Sequence, residues 1–284
     1  MALLMGAVAY DPKVVTIWAG FRSWFADQGL DFDFVLYSHY ERQVEDLAAG
    51  RIDAAWNSPL AWIRTERLAA AHNWRATPLV MRDTDRDLTS VIVVRSDSPF
   101  HDVADLKGET IAVGAVDSPQ ATMIPVSFLR AAGLRPEVDT MIRRHDVGVG
   151  LHGDHIGGER DAARALAAGT VSAACMTDTN HLLFGREGTL SAGSTRVIAR
   201  TESFDHCNLS VGASMPEDDM RRFGDLLLSM SYTDPRVRPL FDLEGLTTWL
   251  PGRTSGYAAL ATAVDETDFY DSAGGVTAGE EYAP

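Results

Sequence analysis

Basic residues are scarce in this chain and cysteine is scarcer. Lysine and arginine number 25 against 40 aspartates and glutamates, and two cysteines occur in 284 residues. A net charge of −15 with no basic run argues against nucleic acid or an anionic membrane surface as a partner. Cys175 and Cys207 cannot make a disulfide framework, and Cys175 sits in an apolar run as a small core residue. No stretch approaches the ~20 apolar residues that span a bilayer, so no direct membrane insertion is expected. Met1–Ala9 is apolar but lacks a basic flank and runs into Tyr10-Asp11-Pro12. It is expected as a first buried strand rather than a signal peptide. The chain as it stands is therefore expected in the cytoplasm, or in the periplasm or outside the cell if a leader was trimmed. Gly-x-Ser-x-Gly elbows and Walker loops are missing as well.

What the chain does contain is one design used twice. Val44–Asn57 (VEDLAAGRIDAAWN) and Ala163–Met176 (ARALAAGTVSAACM) each pair a short amphipathic helix with a glycine, Gly50 or Gly169, and then an apolar run. Glycine past a helix end takes the left-handed conformation that other residues resist. The following run suits a strand buried on both faces. Each run ends in polar residues, Asn57-Ser58-Pro59 and Thr177-Asp178-Thr179-Asn180, expected as loops. In open α/β sheets, ligands sit beyond the carboxyl ends of parallel strands. Two such units predict two lobes that aim loops at a shared cleft.

Strand-like and helical runs alternate along the whole chain, which predicts an α/β fold. The dense β-branched run Thr89–Arg95 is expected to cross into the second lobe, and Phe204–Val211 to return. Residues 1–92 with 206–284 would form lobe one, and 93–205 lobe two. The acidic, glycine- and alanine-rich tail 271–284 is expected to lack fixed structure.

Several ordered blocks resemble one family. They are Tyr10-Asp11-Pro12; Tyr40 opening a helix before Ala49-Gly50-Arg51-Ile52-Asp53-Ala54-Ala55-Trp56; Asn57-Ser58-Pro59; Asp105-Leu106-Lys107-Gly108-Glu109-Thr110-Ile111-Ala112; and Tyr257. Together they resemble the phosphate/phosphite/phosphonate-binding proteins of ABC importers, over nearly the whole chain to about Ala263. The resemblance implies a type II periplasmic-binding-protein fold, a ligand cleft between the lobes and an importer permease as a partner. It also implies cleft positions for Tyr10 and Tyr40. An anionic head group would be held by the helix start at Ser118, Gln120, Ala121 and Thr122, where free N–H groups and the helix dipole favour an anion. The family shows Ser-Thr-Ser hydroxyls in that loop; this chain keeps Ser118 and then has Pro119 and Gln120. That departure widens the expected ligands from phosphonate to sulfonate, carboxylate or neutral polar solutes. The family's cleft histidine aligns near Arg160-Asp161, and its acidic residue corresponds to Asp178.

From the residues themselves, Trp56, Asn57 and Ser58 at a strand end, and His155, are added as ligand contacts. The passage His145–Glu159 (HDVGVGLHGDHIGGE) places three histidines and three acids among five glycines. An alternative follows: a cytosolic enzyme on the same fold, with one divalent metal held by His152, Asp154, His155, His206 and Cys207. The primary expectation is a binding protein with a small-molecule ligand and no cofactor. Ligand identity and oligomeric state stay open.

Overall fold

The alternating runs resolve into two separate sheets linked by two chain crossings. The computed structural model describes residues 2–136 and 138–283. The chain opens with β1 (Leu3–Val8), α1 (Lys13–Asp27), β2 (Phe32–Tyr37), α2 (Tyr40–Ala48), β3 (Ala54–Asn57), α3 (Pro59–Ala71) and β4 (Thr77–Arg82). It continues through β5 (Ser90–Arg95), β6 (Thr110–Val113), α4 (Ile124–Ala131), β7 (Met141–Arg144), α5 (Gly157–Ala167), β8 (Ala173–Thr177), α6 (Asp178–Glu187) and β9 (Thr195–Arg200). It returns as β10 (Asn208–Val211), α7 (Glu217–Ser229), α8 (Arg238–Glu244), β11 (Trp249–Pro251) and α9 (Ala258–Glu266).

The first sheet has the order β11-β4-β10-β3-β1-β2 and the second β7-β6-β8-β5-β9. In each, one strand next to the edge, β1 or β6, has parallel neighbours on both sides, and the strand next to a crossing runs antiparallel: β10 against β3, β5 against β8. The two crossings touch where Leu88 and Phe204 exchange backbone hydrogen bonds of 2.8 Å each. β5 therefore lies wholly in the second sheet, and the crossing comes before it. β4 was not foreseen, since Pro78 removes a strand donor.

The repeated unit holds. Gly50 and Gly169 have φ of 65° and 69°, and β3 and β8 are buried along their lengths. The polar ends expected as loops are instead helix caps. The Ser58 hydroxyl accepts the Ala61 N–H at 3.0 Å and starts α3; the Thr177 hydroxyl accepts the Asn180 N–H at 3.1 Å and starts α6. Such caps satisfy donors a helix start leaves open.

The core of the first lobe is aromatic, with Trp18, Phe21, Phe25, Phe223, Phe241 and Trp249 between sheet and helices. A further cluster joins Trp62 and Tyr257 of that lobe to Met123 and Ile124 of the other, and it takes in Phe269, Tyr270 and Tyr282. The tail expected to lack fixed structure is instead anchored at Tyr282, which is only 6% exposed and donates to the buried Glu41 carboxylate, while most of residues 271–283 stay exposed. Among the described residues, no helix is long and apolar enough to cross a membrane.

Candidate functional site

The glycine-rich segment between β7 and α5 does not hang free. It enters the cleft between the lobes, with His152 fully buried. The His152 ring stacks on Tyr40, with centroids 4.8 Å apart and planes 15° from parallel. Its Nδ1 lies 2.7 Å from the Ser58 hydroxyl and its Nε2 3.1 Å from the Tyr282 hydroxyl. Glycines permit this path: Gly148, Gly150 and Gly153 have positive φ, and His152 itself has φ 49°. A left-handed histidine costs about 1–2 kcal/mol. The Asp117 carboxylate offsets it by accepting the Gly150 and His152 N–H groups at 2.7 and 3.1 Å.

Beneath the histidine lies Glu41, on the first turn of α2. Its carboxylate accepts the Tyr270 and Tyr282 hydroxyls at 2.7 Å each and pairs with Arg64 at 2.5 Å. Burial alone would raise this acid, but His152, Arg64 and Tyr270 outweigh burial and hold it at about 2.

On the second lobe, Ser118 caps its own turn, its hydroxyl accepting the Ala121 N–H at 3.2 Å. Pro119–Met123 form a π turn that leads into α4. Gln120 donates to the Gly153 carbonyl at 2.8 Å and to Glu159 at 3.2 Å. Glu159 in turn accepts the Thr177 N–H at 3.0 Å and the Asn180 amide at 2.8 Å. Asp117 Oδ1, Gln120 Oε1 and Thr122 Oγ1 are buried without a hydrogen-bond partner. Unmatched buried acceptors are expensive.

A third group lies on the first lobe's side. Asp154, two residues beyond His152, accepts the Tyr40 hydroxyl, and the Cys207 thiol donates to its other oxygen at 3.6 Å. Cys207 Sγ is 3.1 Å from His206 Nδ1, which is 3.5 Å from Asp85. Arg82 grips Asp85 through two N–H groups, at 2.6 and 2.8 Å, and reaches Glu244 at 3.2 Å. Burial would raise Asp85, yet Arg82 and His206 bring it to about 2. Burial pushes Glu244 up to about 7, with Arg82 opposing and Asp85 adding to the rise. Asp154 is pushed by burial to about 6 against the pull of His206. Cys207 is raised well above the usual thiol range by burial and then by the Asp154 and Asp85 charges. It is no thiolate nucleophile. His206 meets Cys207 and Asp85 through the same nitrogen, so no proton relay runs across its ring.

The expected residues divide. Tyr40, Ser58, Ser118 and Gln120 converge on the inserted segment, and Tyr10 lies close enough to Asp154 and Glu244 that their charges, after burial, raise its phenol. Trp56 is core, packed on Trp18 and Trp249 under the Arg82 guanidinium. Asn57 donates to Thr65 and Ser210 and accepts from Gln43, tying α2, α3 and β10 to β3. Ala121 has spent its N–H on Ser118. Thr122 faces a separate cavity of about 280 Å³ shared with Met123 and Tyr282. His155 is exposed, and Asp178 pairs with Arg200 at 2.6 Å, so neither reaches the His152 group. In the five-residue metal alternative, His206, Cys207 and Asp154 come together, whereas His152 is engaged by Ser58 and Tyr282. Glu41, Arg82, Asp85, Asp117, Glu159, Glu244 and Tyr282 carry much of the site and were not anticipated. The one local signal was Tyr282, the single aromatic residue of the tail 271–284.

A cleft between two α/β lobes, entered by loops from both, is the arrangement of a clamshell solute-binding protein. The chain matches, over residues 7–257, the family described as ABC transporter, phosphonate, periplasmic substrate-binding protein, and it belongs to that family. No curated protein sequence matches it. Its fold is similar to that of PhnD1 from Prochlorococcus marinus in complex with methylphosphonate: TM-score 0.68, 12% identity, covering 94% of this chain and 98% of that one. It is also similar to XAC2383 from Xanthomonas citri bound to ATP: TM-score 0.71, 16% identity, 93% and 97% covered. A third similar structure is the periplasmic aliphatic sulphonate binding protein SsuA from Escherichia coli: TM-score 0.59, 19% identity, 94% and 86% covered. The two-lobed type II fold is shared with these proteins, and family membership makes solute binding, not catalysis, the function.

Proposed function

We propose that the chain captures a small acid (a phosphonate, sulfonate or carboxylate) between its lobes and presents it to an ABC permease on the periplasmic side of a membrane. The observation that carries the ligand class is Asp154. The chain's own carboxylate occupies the cleft against the Tyr40 hydroxyl and the Cys207 thiol, and the His206 and Lys13 charges act on it. A solute acid would take over those contacts as the 148–155 segment withdraws. The unmatched acceptors Asp117 Oδ1 and Gln120 Oε1 favour a solute that also carries a donor, such as a hydroxyl or a singly protonated phosphonate. The N–H groups that would cradle a fully ionised phosphonate are partly spent, since Ser118 caps Ala121 and Pro119 has none. Hinge motion at the paired Leu88 and Phe204 crossings would open and close the lobes.

A thermal-shift panel of alkylphosphonates, alkanesulfonates, hydroxy acids and neutral sugars, run with chelator present, tests this. Acids should raise the melting temperature in proportion to the logarithm of their concentration above Kd. A panel in which only neutral solutes stabilise the protein would reject the ligand class.

A further inference from the structure

Asp85, His206 and Cys207 each direct one donor atom to a common point, and the three atoms lie within 4.8 Å of one another. His206 Nδ1 is 3.1 Å from Cys207 Sγ and 3.5 Å from Asp85 Oδ1. A fourth donor comes from the other lobe: Asp154 Oδ1 is 3.6 Å from the same sulfur. With metal–sulfur bonds of about 2.3 Å and metal–nitrogen or –oxygen bonds of about 2.0 Å, a tetrahedral Zn²⁺ separates its donors by about 3.3–3.6 Å. The His206–Cys207, His206–Asp85 and Cys207–Asp154 separations of 3.1, 3.5 and 3.6 Å are near that spacing, with Asp154 joined to the other three through the sulfur alone. One imidazole, one thiol and two carboxylates also form a donor set that suits a borderline-soft dication.

Charge gives an independent reason. Asp85 and Glu244 pair with Arg82, and Asp154 lies across Cys207, with the Lys13 ammonium as the other cation acting on Asp154 and Glu244. Once Cys207 gives up its proton, this enclosed group is two positive charges short of neutrality. A divalent ion supplies them. Arg82, bound to Asp85 through two N–H groups, fixes that carboxylate's orientation, as outer partners of metal ligands do.

We propose that Asp85, His206, Cys207 and Asp154 hold one divalent transition-metal ion of the Zn²⁺ class, three ligands coming from lobe one and the fourth from lobe two. On binding, the Cys207 Sγ–H bond breaks, its proton leaves to solvent and the sulfur lone pair bonds the metal. The ion ties the inserted segment to lobe one. A solute acid that displaces Asp154 would find the fourth coordination position open.

The test uses the full chain, stripped with chelator and titrated with Co²⁺ and then Zn²⁺ in the absence of any solute. One equivalent of Co²⁺ should produce a sulfur-to-cobalt charge-transfer band that Zn²⁺ bleaches. Cys207→Ser should abolish the band, while Cys175→Ser, in the core of β8, should retain it. Asp154→Asn, which keeps the size of the side chain, should weaken Zn²⁺ binding about tenfold or more. Absence of the band at one equivalent, its survival in Cys207→Ser, or unchanged Zn²⁺ affinity in Asp154→Asn overturns the site. The acid panel above is run with chelator, so either reading can fail while the other stands.

Discussion

The imidazole of His152 lies flat against the phenol of Tyr40, 4.8 Å between centroids, although one belongs to the second lobe and the other to the first. That contact closes the cleft with the protein's own chain. On the proposed function a solute competes with it, and the consequences can be measured.

The segment's course depends on Gly153. Its φ is 78°, and a Cβ there would come within 2.5 Å of Gln120 Nε2 and 2.9 Å of Ser118 Oγ. Gly153→Ala should lose about 1–3 kcal/mol, from the left-handed backbone and the displaced Gln120. Urea denaturation gives the loss, and faster amide exchange over 148–155 would locate it.

The Tyr282 hydroxyl donates to Glu41 at 2.7 Å and lies 3.1 Å from His152. Tyr282→Phe removes one donor from a buried carboxylate while keeping the ring. Hydrogen bonds to charged groups contribute about 1.5–3 kcal/mol, so a loss of about 2 kcal/mol is expected in chemical denaturation.

Stability should peak on the acidic side of neutrality when chelator is present. Glu41 and Asp85 are held at about 2, below their unfolded values, so the stability they contribute is present above pH ~4.5 and is lost as pH falls toward 2. Asp154 and Glu244 are raised to about 6 and about 7, so the native state keeps protons that the unfolded chain has released. Stability therefore falls as pH rises from ~4 to 7 and levels beyond. Melting temperatures across pH 3–9 should show a maximum near pH 5; a rise continuing to pH 8 would contradict this balance.

Glu244 isolates half of that balance. Its ionisation in the buried site at pH 8 opposes folding by on the order of 3 kcal/mol relative to the unfolded carboxylate. Glu244→Gln should change stability little at pH 5 and increase it by about 1–3 kcal/mol at pH 8, with Arg82 still paired to Asp85. Denaturation at both pH values supplies the comparison.

Much of the scaffold was legible because its signals are local. Gly50 and Gly169 end helices by a backbone conformation their own residue type permits, and β3 and β8 follow as apolar runs. Ser118 came instead from the family resemblance, which implies a head-group loop at the helix start after β6. The acids of the cleft were not, because their meaning comes from distant partners: Glu41 meets Tyr270 and Tyr282 across 229 and 241 residues. His206 and Cys207 fall in the run expected as the return crossing, where neighbours in a strand would point to opposite faces. β10 begins only at Asn208, and the irregular backbone before it turns both side chains together. His155 was expected to touch the ligand and His152 only in the metal alternative, but the fold of the segment between Gly150 and Gly153 buries His152 and leaves His155 exposed.

Solute capture at the Tyr40–His152 closure is tested most directly by titration calorimetry with the acid that most raises the melting temperature, on the wild-type chain and on Tyr40→Ala. The wild type should bind one equivalent, with faster amide exchange over 148–155 as the segment leaves, and Tyr40→Ala should bind at least about tenfold more weakly. Equal affinity in both proteins, or binding that leaves the segment's exchange unchanged, would contradict the account.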